Sequence, residues 1–434
     1  MNTPIVDFVK KYAHSNTVRL HMPGHKGQNV LGCEMYDITE IKGADSLFEA
    51  DGIIAESENN ASRLFGTKKT LYSTEGSTLC IKTMLALVRK NGVSNRILAS
   101  RNSHKALIYG CAQLDIDIDW LFDENDTFSL CRCEISPEIL EKRLSAYEEL
   151  PCAVYVTSPD YLGNMLDIKA LADVAHKFGV PLLVDNAHGA YLHFLGEKLH
   201  PMDLGADMCC DSAHKTLPVL TGGAYLHINN VKYCEKAKSM MAVFASTSPS
   251  YLILQSLDYA NKLLSEDYPE LLNLCVAKLN QLKSSVTSAI KTDPLKLTVK
   301  GSYAEKMRKY GIECEYQDPD FTVMMFTPCN PESDFDAVKR FFAQNTVKHL
   351  PNELKMPVPQ KKMSVRQAIF ADYECIDVYN AVGRICASPA VGCPPAVPVV
   401  VSGEVISSQA VEIFRYYGIK KCAVLIENSQ FIHN

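Results

Sequence analysis

Between residue 70 and about residue 230 the chain switches repeatedly between short, continuously apolar runs and stretches of helical periodicity. This alternation constrains the fold more than any other feature. A strand that is apolar at successive positions has both faces covered, and the covering helices must come from its connections. RILAS (96–100), CAVYVTS (152–158), VPLLVDNA (180–187), DMCCDSA (207–213) and GAYLHI (223–228) all read as buried strands. Leu79, Ile81, Met84, Leu85 and Val88 mark a helix after Gly76-Ser77-Thr78. Ser136-Pro137 caps and opens another, to about Glu148. Asp167 to Phe178 is amphipathic and ends at Gly179. The expected fold class is α/β with a mostly parallel sheet, and ligands of such sheets gather at the carboxyl ends of the strands. A helix-rich stretch follows from about 230 to 292. The remainder has shorter elements, with FTVMMFTP (321–328) as one strand and proline-rich stretches at 351–359 and 389–398.

Composition excludes several classes. Apolar residues make up 47% and charged residues 22% of the 434, so the chain is neither disordered nor a long coiled coil. A net charge of −6 lacks the basic footprint of a dedicated nucleic-acid binder. No run of 18 apolar residues and no leader-like apolar core is visible, so a cytoplasmic protein without membrane association is expected. The 16 cysteines include no Cys-x-x-Cys pair and read as buried, reduced thiols. His21 and His25 are four apart, but Pro23 and Gly24 between them argue against a helical metal pair, and no metal is expected.

Four features carry chemistry, each with a bland reading beside it. Thr74-Glu75-Gly76-Ser77-Thr78 opens a helix, where amides and hydroxyls suit a phosphate or simply cap a turn. Asp185 ends an apolar strand, where a carboxylate needs a partner: a neighbouring loop or a cationic ring nitrogen. Lys215, in Ser212-Ala213-His214-Lys215, leaves another such strand end, where partial burial favours the neutral amine that forms Schiff bases. A solvated loop lysine is the alternative. His104, after RILAS, either stacks on an aromatic ligand or caps the next helix. In that chain order, a phosphate cradle, a stacking ring, an acid and a lysine together describe a pyridoxal-phosphate site.

The chain resembles the Orn/Lys/Arg decarboxylase family, in its compact bacterial form, at HMPGHKG (21–27), Asp37-Ile38-Thr39-Glu40, Gly43-Ala44-Asp45 and LFGTKKTLYSTEGST (64–78). The likeness continues through DNAHGAYLHF (185–194), SAHKTLPVLTGGAYLH (212–227), GRICAS (383–388) and PPAVPVVVSGE (394–404). The resemblance implies a fold type I, pyridoxal-phosphate-dependent transferase-like enzyme. Its parts would be an N-terminal segment over the active site (1–50), a large cofactor-binding domain (51–295) and a smaller C-terminal α/β domain (296–434). It implies that Lys215 is the Schiff-base lysine, that Asp185 pairs with the pyridine nitrogen and that His104 stacks on the ring. Gly76, Ser77, Thr78, Ser212 and His214 would surround the phosphate, with His188 near the ring. Thr247 would reach the phosphate of a neighbouring subunit, which implies a homodimer or a larger assembly. The implied reaction is decarboxylation of a basic amino acid, arginine foremost, with lysine and ornithine next. Glu404, Asp160 and Glu40 are candidates for holding the substrate's distal cation. An aminotransferase or carbon–sulfur lyase on the same fold is the alternative, with Arg366, Arg384 and Arg415 available for a carboxylate. A non-catalytic protein of this fold is a third reading, opposed by the intact Lys215, Asp185 and His104. The chain departs from the family pattern at Asp160, Cys393, Ala396 and Ser402.

Overall fold

The computed structural model describes residues 1–92, 94–122, 129–286, 289–290, 292–345, 355–389 and 396–426. Cys393 lies outside them. The strands, in chain order, are β1 (Lys69–Ser73), β2 (Arg96–Ser100), β3 (Asp117–Leu121), β4 (Ala153–Thr157), β5 (Leu182–Asp185), β6 (Met208–Asp211) and β7 (Ala224–Ile228). They continue with β8 (Lys296–Lys300), β9 (Tyr316–Gln317), β10 (Phe321–Met325), β11 (Tyr373–Asp377), β12 (Cys386–Ser388) and β13 (Lys421–Leu425). The chain divides into two compact units. One comprises Met1–Lys90, Pro181–Leu274 and Thr327–Cys329, and the other Asn91–Val180, Cys275–Phe326 and Asn330–Asn434.

In the first unit the strand order is β1-β7-β6-β5. β5 and β6 are parallel, with Asp185 opposite Cys210. GAYLHI departs from the expected pattern, because β7 runs antiparallel to both β6 and β1. A parallel return normally needs a long helical crossover, whereas β6 and β7 are joined by a turn whose helix is only Ala213–Thr216. Leu71, Tyr72, Leu183, Val184, Cys209, Cys210, Tyr225 and Leu226 are all buried, as continuous apolar strands require. The helix Gly76–Asn91 packs almost all round, burying Leu79, Ile81, Met84, Leu85 and Val88 together with Leu87 between them.

Two carboxylates organise the N-terminal part of this unit. Asp258 accepts the amides of Ile5 and Val6 at 2.9 and 3.0 Å, satisfying the free N–H groups that open the helix Pro4–Ala13. Asp45 accepts amides from Gly52 and Ile54, both at 2.9 Å, at the start of the helix Ile53–Leu64. Burial works against the Asp45 carboxylate, but the backbone amides of Ser46, Asp51, Gly52 and Ala55 hold it below the ordinary aspartate range. Asp45→Ala is therefore expected to cost about 1 kcal/mol, read as a lowered midpoint in denaturant. Because the native value is lowered, the contribution is full above the unfolded aspartate value and is lost as pH falls through the native one. A cost that did not shrink in acid would contradict this role.

In the second unit β4, β2 and β3 are parallel neighbours, with Ile97 opposite Ala153 and Arg96 opposite Asp117. The expected helices appear as Pro137–Ser145, capped by Ser136, and Ile168–Lys177, capped by Asp167. Two antiparallel three-stranded sheets, β8-β10-β9 and β11-β13-β12, complete this unit. Ala396 holds φ +57°, in the left-handed region that costs a Cβ-bearing residue about 1–2 kcal/mol.

The expectation that the cysteines are buried needs correction at several positions. All 15 described cysteines are free, but Cys329 and Cys375 are exposed and Cys33, Cys234 and Cys314 partly so. Among the described residues no helix is long and apolar enough to cross a membrane.

Candidate functional site

The first unit gathers the acid, the lysine and the hydroxyls at the end of its sheet. β1 ends at Ser73, and its hydroxyl accepts the Glu75 amide at 3.1 Å and donates to the Gly76 carbonyl at 2.9 Å. Gly76 opens the long helix at φ +67°, a value that favours glycine, and a Cβ there would meet nothing within 4 Å. The Gly76 amide donates to the Gly222 carbonyl at 2.7 Å. At Gly222 a Cβ would come within 2.9 Å of the Thr74 carbonyl oxygen, so the close approach of these two turns needs glycine. Ser77 lies in the first turn of the helix, and Ser212 Oγ, from the turn after β6, donates to its Oγ at 2.9 Å. Thr78 follows on the same helix.

The turn that begins at Ser212 continues into the short helix bearing His214 and Lys215. The His214 amide and its Nδ1 both face the Gly223 carbonyl, at 3.1 and 3.0 Å. The Lys215 amide donates to the Ser212 carbonyl at 2.9 Å, which closes the turn. Lys215 Nζ lies 3.1 Å from His188 Nε2. Asp185, the last residue of β5, is buried, and its Oδ1 accepts from the Ala187 amide at 3.2 Å and from Cys210 Sγ at 3.6 Å. Thr247 and Glu40 are exposed. Ser246, beside Thr247, donates its amide to Glu75 Oε1 at 2.7 Å, which sets that segment against the turn before Gly76. Glu40 accepts the Thr39 hydroxyl at 2.5 Å.

His104, Asp160 and Glu404 lie in the second unit. His104 caps the helix Lys105–Leu114, its Nδ1 accepting the Ala106 amide at 3.1 Å. Asp160 is buried and accepts from the Asn164 amide and side chain at 2.8 and 2.7 Å. Burial pushes its carboxyl up to about 6 in spite of those bonds. It lines a cavity of about 320 Å³ with Thr157, Arg132, Glu134 and Asp293. Glu404 is committed to an internal partner: Arg101 Nη2 donates to it at 3.0 Å and the Val401 amide at 2.7 Å. Burial nevertheless raises its carboxyl above the ordinary glutamate value. The Arg101 guanidinium also lies 4.9 Å over the Trp120 ring. Ser402 is buried, and its Oγ has no hydrogen-bond partner among the described residues.

The arginines available to a transaminase each have contacts within this unit. Arg366 donates to the Ala112 carbonyl at 3.0 Å, and Arg384 to Glu374 at 2.8 Å. Arg415 lies 5.0 Å over the Tyr379 ring. Sequence reasoning passed over Arg101 and, in the first unit, Asp211. Asp211 carries the same signal that singled out Asp185, a carboxylate ending an apolar strand.

An acid and a lysine leaving adjacent strand ends, beside a helix that begins at a glycine, define an α/β enzyme of the fold type I class. The chain belongs to the Orn/Lys/Arg decarboxylase family: the family's major-domain model matches residues 3–316 and its C-terminal-domain model residues 344–423. It is thus an amino-acid decarboxylase by family. It is 29% identical to an arginine decarboxylase of Bacillus subtilis (strain 168), over 94% of this chain and 92% of that protein. It is 26% identical to an arginine decarboxylase of Bacillus anthracis, over 95% and 92%. Among solved structures, the constitutive lysine decarboxylase of E. coli has the same fold, with a TM-score of 0.78 at 17% identity over 98% of this chain and 82% of that one.

Proposed function

We propose that the protein decarboxylates L-arginine to agmatine with pyridoxal phosphate, acting as a homodimer or larger assembly. Its relatives named arginine decarboxylase, matched over more than nine-tenths of both chains, support the substrate. The observation that carries the reading is the Lys215–His188 contact at 3.1 Å, beside the Ser77–Ser212 hydroxyl pair at a helix N-terminus.

The residues fit this cofactor. A Cβ at Gly76 would meet nothing within 4 Å, and the Ser77 and Ser212 hydroxyls meet at the first turn of the same long helix, whose opening amides suit a phosphate. Ser77, Ser212, Thr78 and His214 would hold the phosphate, Asp185 the ring nitrogen, His104 the ring face and Lys215 the aldehyde, with Thr247 serving the neighbouring subunit. Pyridoxal phosphate, when bound, supplies an aldehyde for the substrate amine and a protonated ring that draws electrons from Cα as carbon dioxide leaves. The buried Asp185 carboxylate would favour a proton on that ring nitrogen by placing negative charge where water is excluded. Lys215 Nζ and His188 Nε2, 3.1 Å apart, are close enough to exchange a proton, so either would serve to return one to Cα. Asp160, Glu404 and Glu40 are the carboxylates proposed for the substrate's distal cation; Asp160 lines a cavity in its own unit and accepts from Asn164. Glu404 already serves Arg101, and Glu40 is exposed.

The test is release of carbon dioxide and amine from arginine, lysine and ornithine by the cofactor-loaded protein. Arginine is expected to react at least tenfold faster than the others. Faster turnover of lysine or ornithine would overturn the substrate, and silence on all three the reaction.

A further inference from the structure

Asp211 ends β6 one residue before the turn that carries Lys215, and none of it is exposed. Its Oδ1 accepts from Asn186 Nδ2 at 2.6 Å, and its Oδ2 from His200 Nε2 at 3.0 Å and His227 Nε2 at 3.1 Å. His200 Nδ1 accepts the Met202 amide at 3.3 Å, which puts the His200 proton on Nε2, facing the carboxylate. His227 Nδ1 is 2.8 Å from Thr70 Oγ1. Among the described residues no lysine or arginine pairs with Asp211. A buried anion without a cation must be held by several well-placed donors, and that is the arrangement here. Burial works to raise the Asp211 carboxyl, but the two imidazoles outweigh it and pull it well below the carboxylate range. Burial, in turn, lowers His227 and favours its neutral form.

The donors come from different elements. Asn186 directly follows Asp185 at the end of β5, His227 lies on β7, and His200 precedes β6. The Asn186 turn is tightly packed: its carbonyl accepts the Gly189 amide at 2.8 Å, and a Cβ at Gly189 would fall 2.0 Å from Asn186 Oδ1. His188 sits within that turn. Asp211 therefore reaches the Lys215–His188 contact by two routes: through Asn186 to His188, and along its own chain through Ser212 to Lys215. Among the described residues the titratable groups around it are Asp185 from β5, His227 and Tyr225 from β7, Cys209 and Cys210 from β6, Cys80 from the helix Gly76–Asn91 and His200.

We infer that Asp211 is a positioning residue for the reaction: its buried charge ties the Asn186–Gly189 turn to the Ser212–Lys215 turn and so sets the Lys215–His188 pair. This rests on the cofactor reading of Lys215 and Asp185.

The experiment compares wild type, Asp211→Asn and Asn186→Ala as holoenzymes. The first variant removes the charge, and the second cuts only the arm to the His188 turn. The readouts are cofactor content, the pH midpoint of the visible band, kcat and KM. Both variants are expected to retain cofactor, to move the midpoint by about half a unit or more, and to lose roughly 10- to 100-fold in kcat with KM within about twofold. If Asp211→Asn does not fold, Asn186→Ala decides alone. An unmoved midpoint, or a kcat loss matched by cofactor loss, would leave Asp211 a structural residue and overturn the inference. Stoichiometric zinc in the purified protein would also overturn it, because His200, Cys209 and Asp211 lie close enough to ligate a metal. A wild-type protein that takes up no pyridoxal phosphate would instead defeat the cofactor reading, and the positioning role with it.

Discussion

Lys215→Ala is expected to remove the visible absorption of the pyridoxal-phosphate-loaded protein and to lower turnover by roughly 10⁴-fold. Both effects follow from the amine. Lys215 is partly buried at the end of a turn closed by its own amide, so its side chain leaves the sheet from a fixed point. Its Nζ faces the His188 imidazole at 3.1 Å. Alanine removes the group that would hold the aldehyde and one of the two groups that would return a proton to Cα. The fold should survive, because Lys215 is only partly buried and lies outside the apolar core, and an unchanged melting temperature would confirm that. A variant with a normal spectrum would move the cofactor-bearing role to another lysine. Borohydride reduction of the loaded wild-type protein, followed by peptide mass analysis, locates that lysine directly.

Asp185→Ala is expected to lower kcat by roughly 10³-fold while weakening cofactor binding no more than about tenfold. The asymmetry is the content of the prediction. The phosphate contacts proposed at the helix N-terminus would remain in the variant and would supply uniform binding. In its proposed role the acid would act mainly as electron density moves into the ring, and an interaction made in the transition state appears in kcat. Asp185→Asn should lose nearly as much as alanine, because the amide keeps the shape but not the charge. Equal losses in turnover and affinity would reduce Asp185 to a binding residue.

How far the sequence could be read depended on which forces were local. The apolar runs identified β2, β4, β5 and β6 to within a residue or two, because a strand buried on both faces has no polar position to hide its pattern. Helix starts at Ser136 and Asp167 were legible for a similar reason: each cap accepts an amide three residues on. The direction of β7 was not legible. It depends on how far the short Ala213–Thr216 helix carries the chain, and composition does not encode that. The buried polar network escaped for a related reason. Asn186, His200 and His227 are separated from Asp211 by 11 to 25 positions, and only the folded sheet shows that their donors converge. Arg101 and Glu404, 303 positions apart, are the extreme case. Glu404 looked available for a substrate because nothing in its neighbourhood along the chain revealed the guanidinium that occupies it. His104 shows the opposite limit. The sequence offered two roles for it, and the helix cap is visible while the stacking role remains a proposal.

The Arg101 guanidinium lies over Trp120, the chain's single tryptophan. The protein therefore carries its own optical label in the second unit. Indole emission responds to a cation held against its face, so displacement of Arg101 from Glu404 would change the colour and yield of that emission. No other tryptophan contributes background. A titration with arginine or agmatine, followed by fluorescence alone, would report in real time on whether this buried ion pair moves during the catalytic cycle.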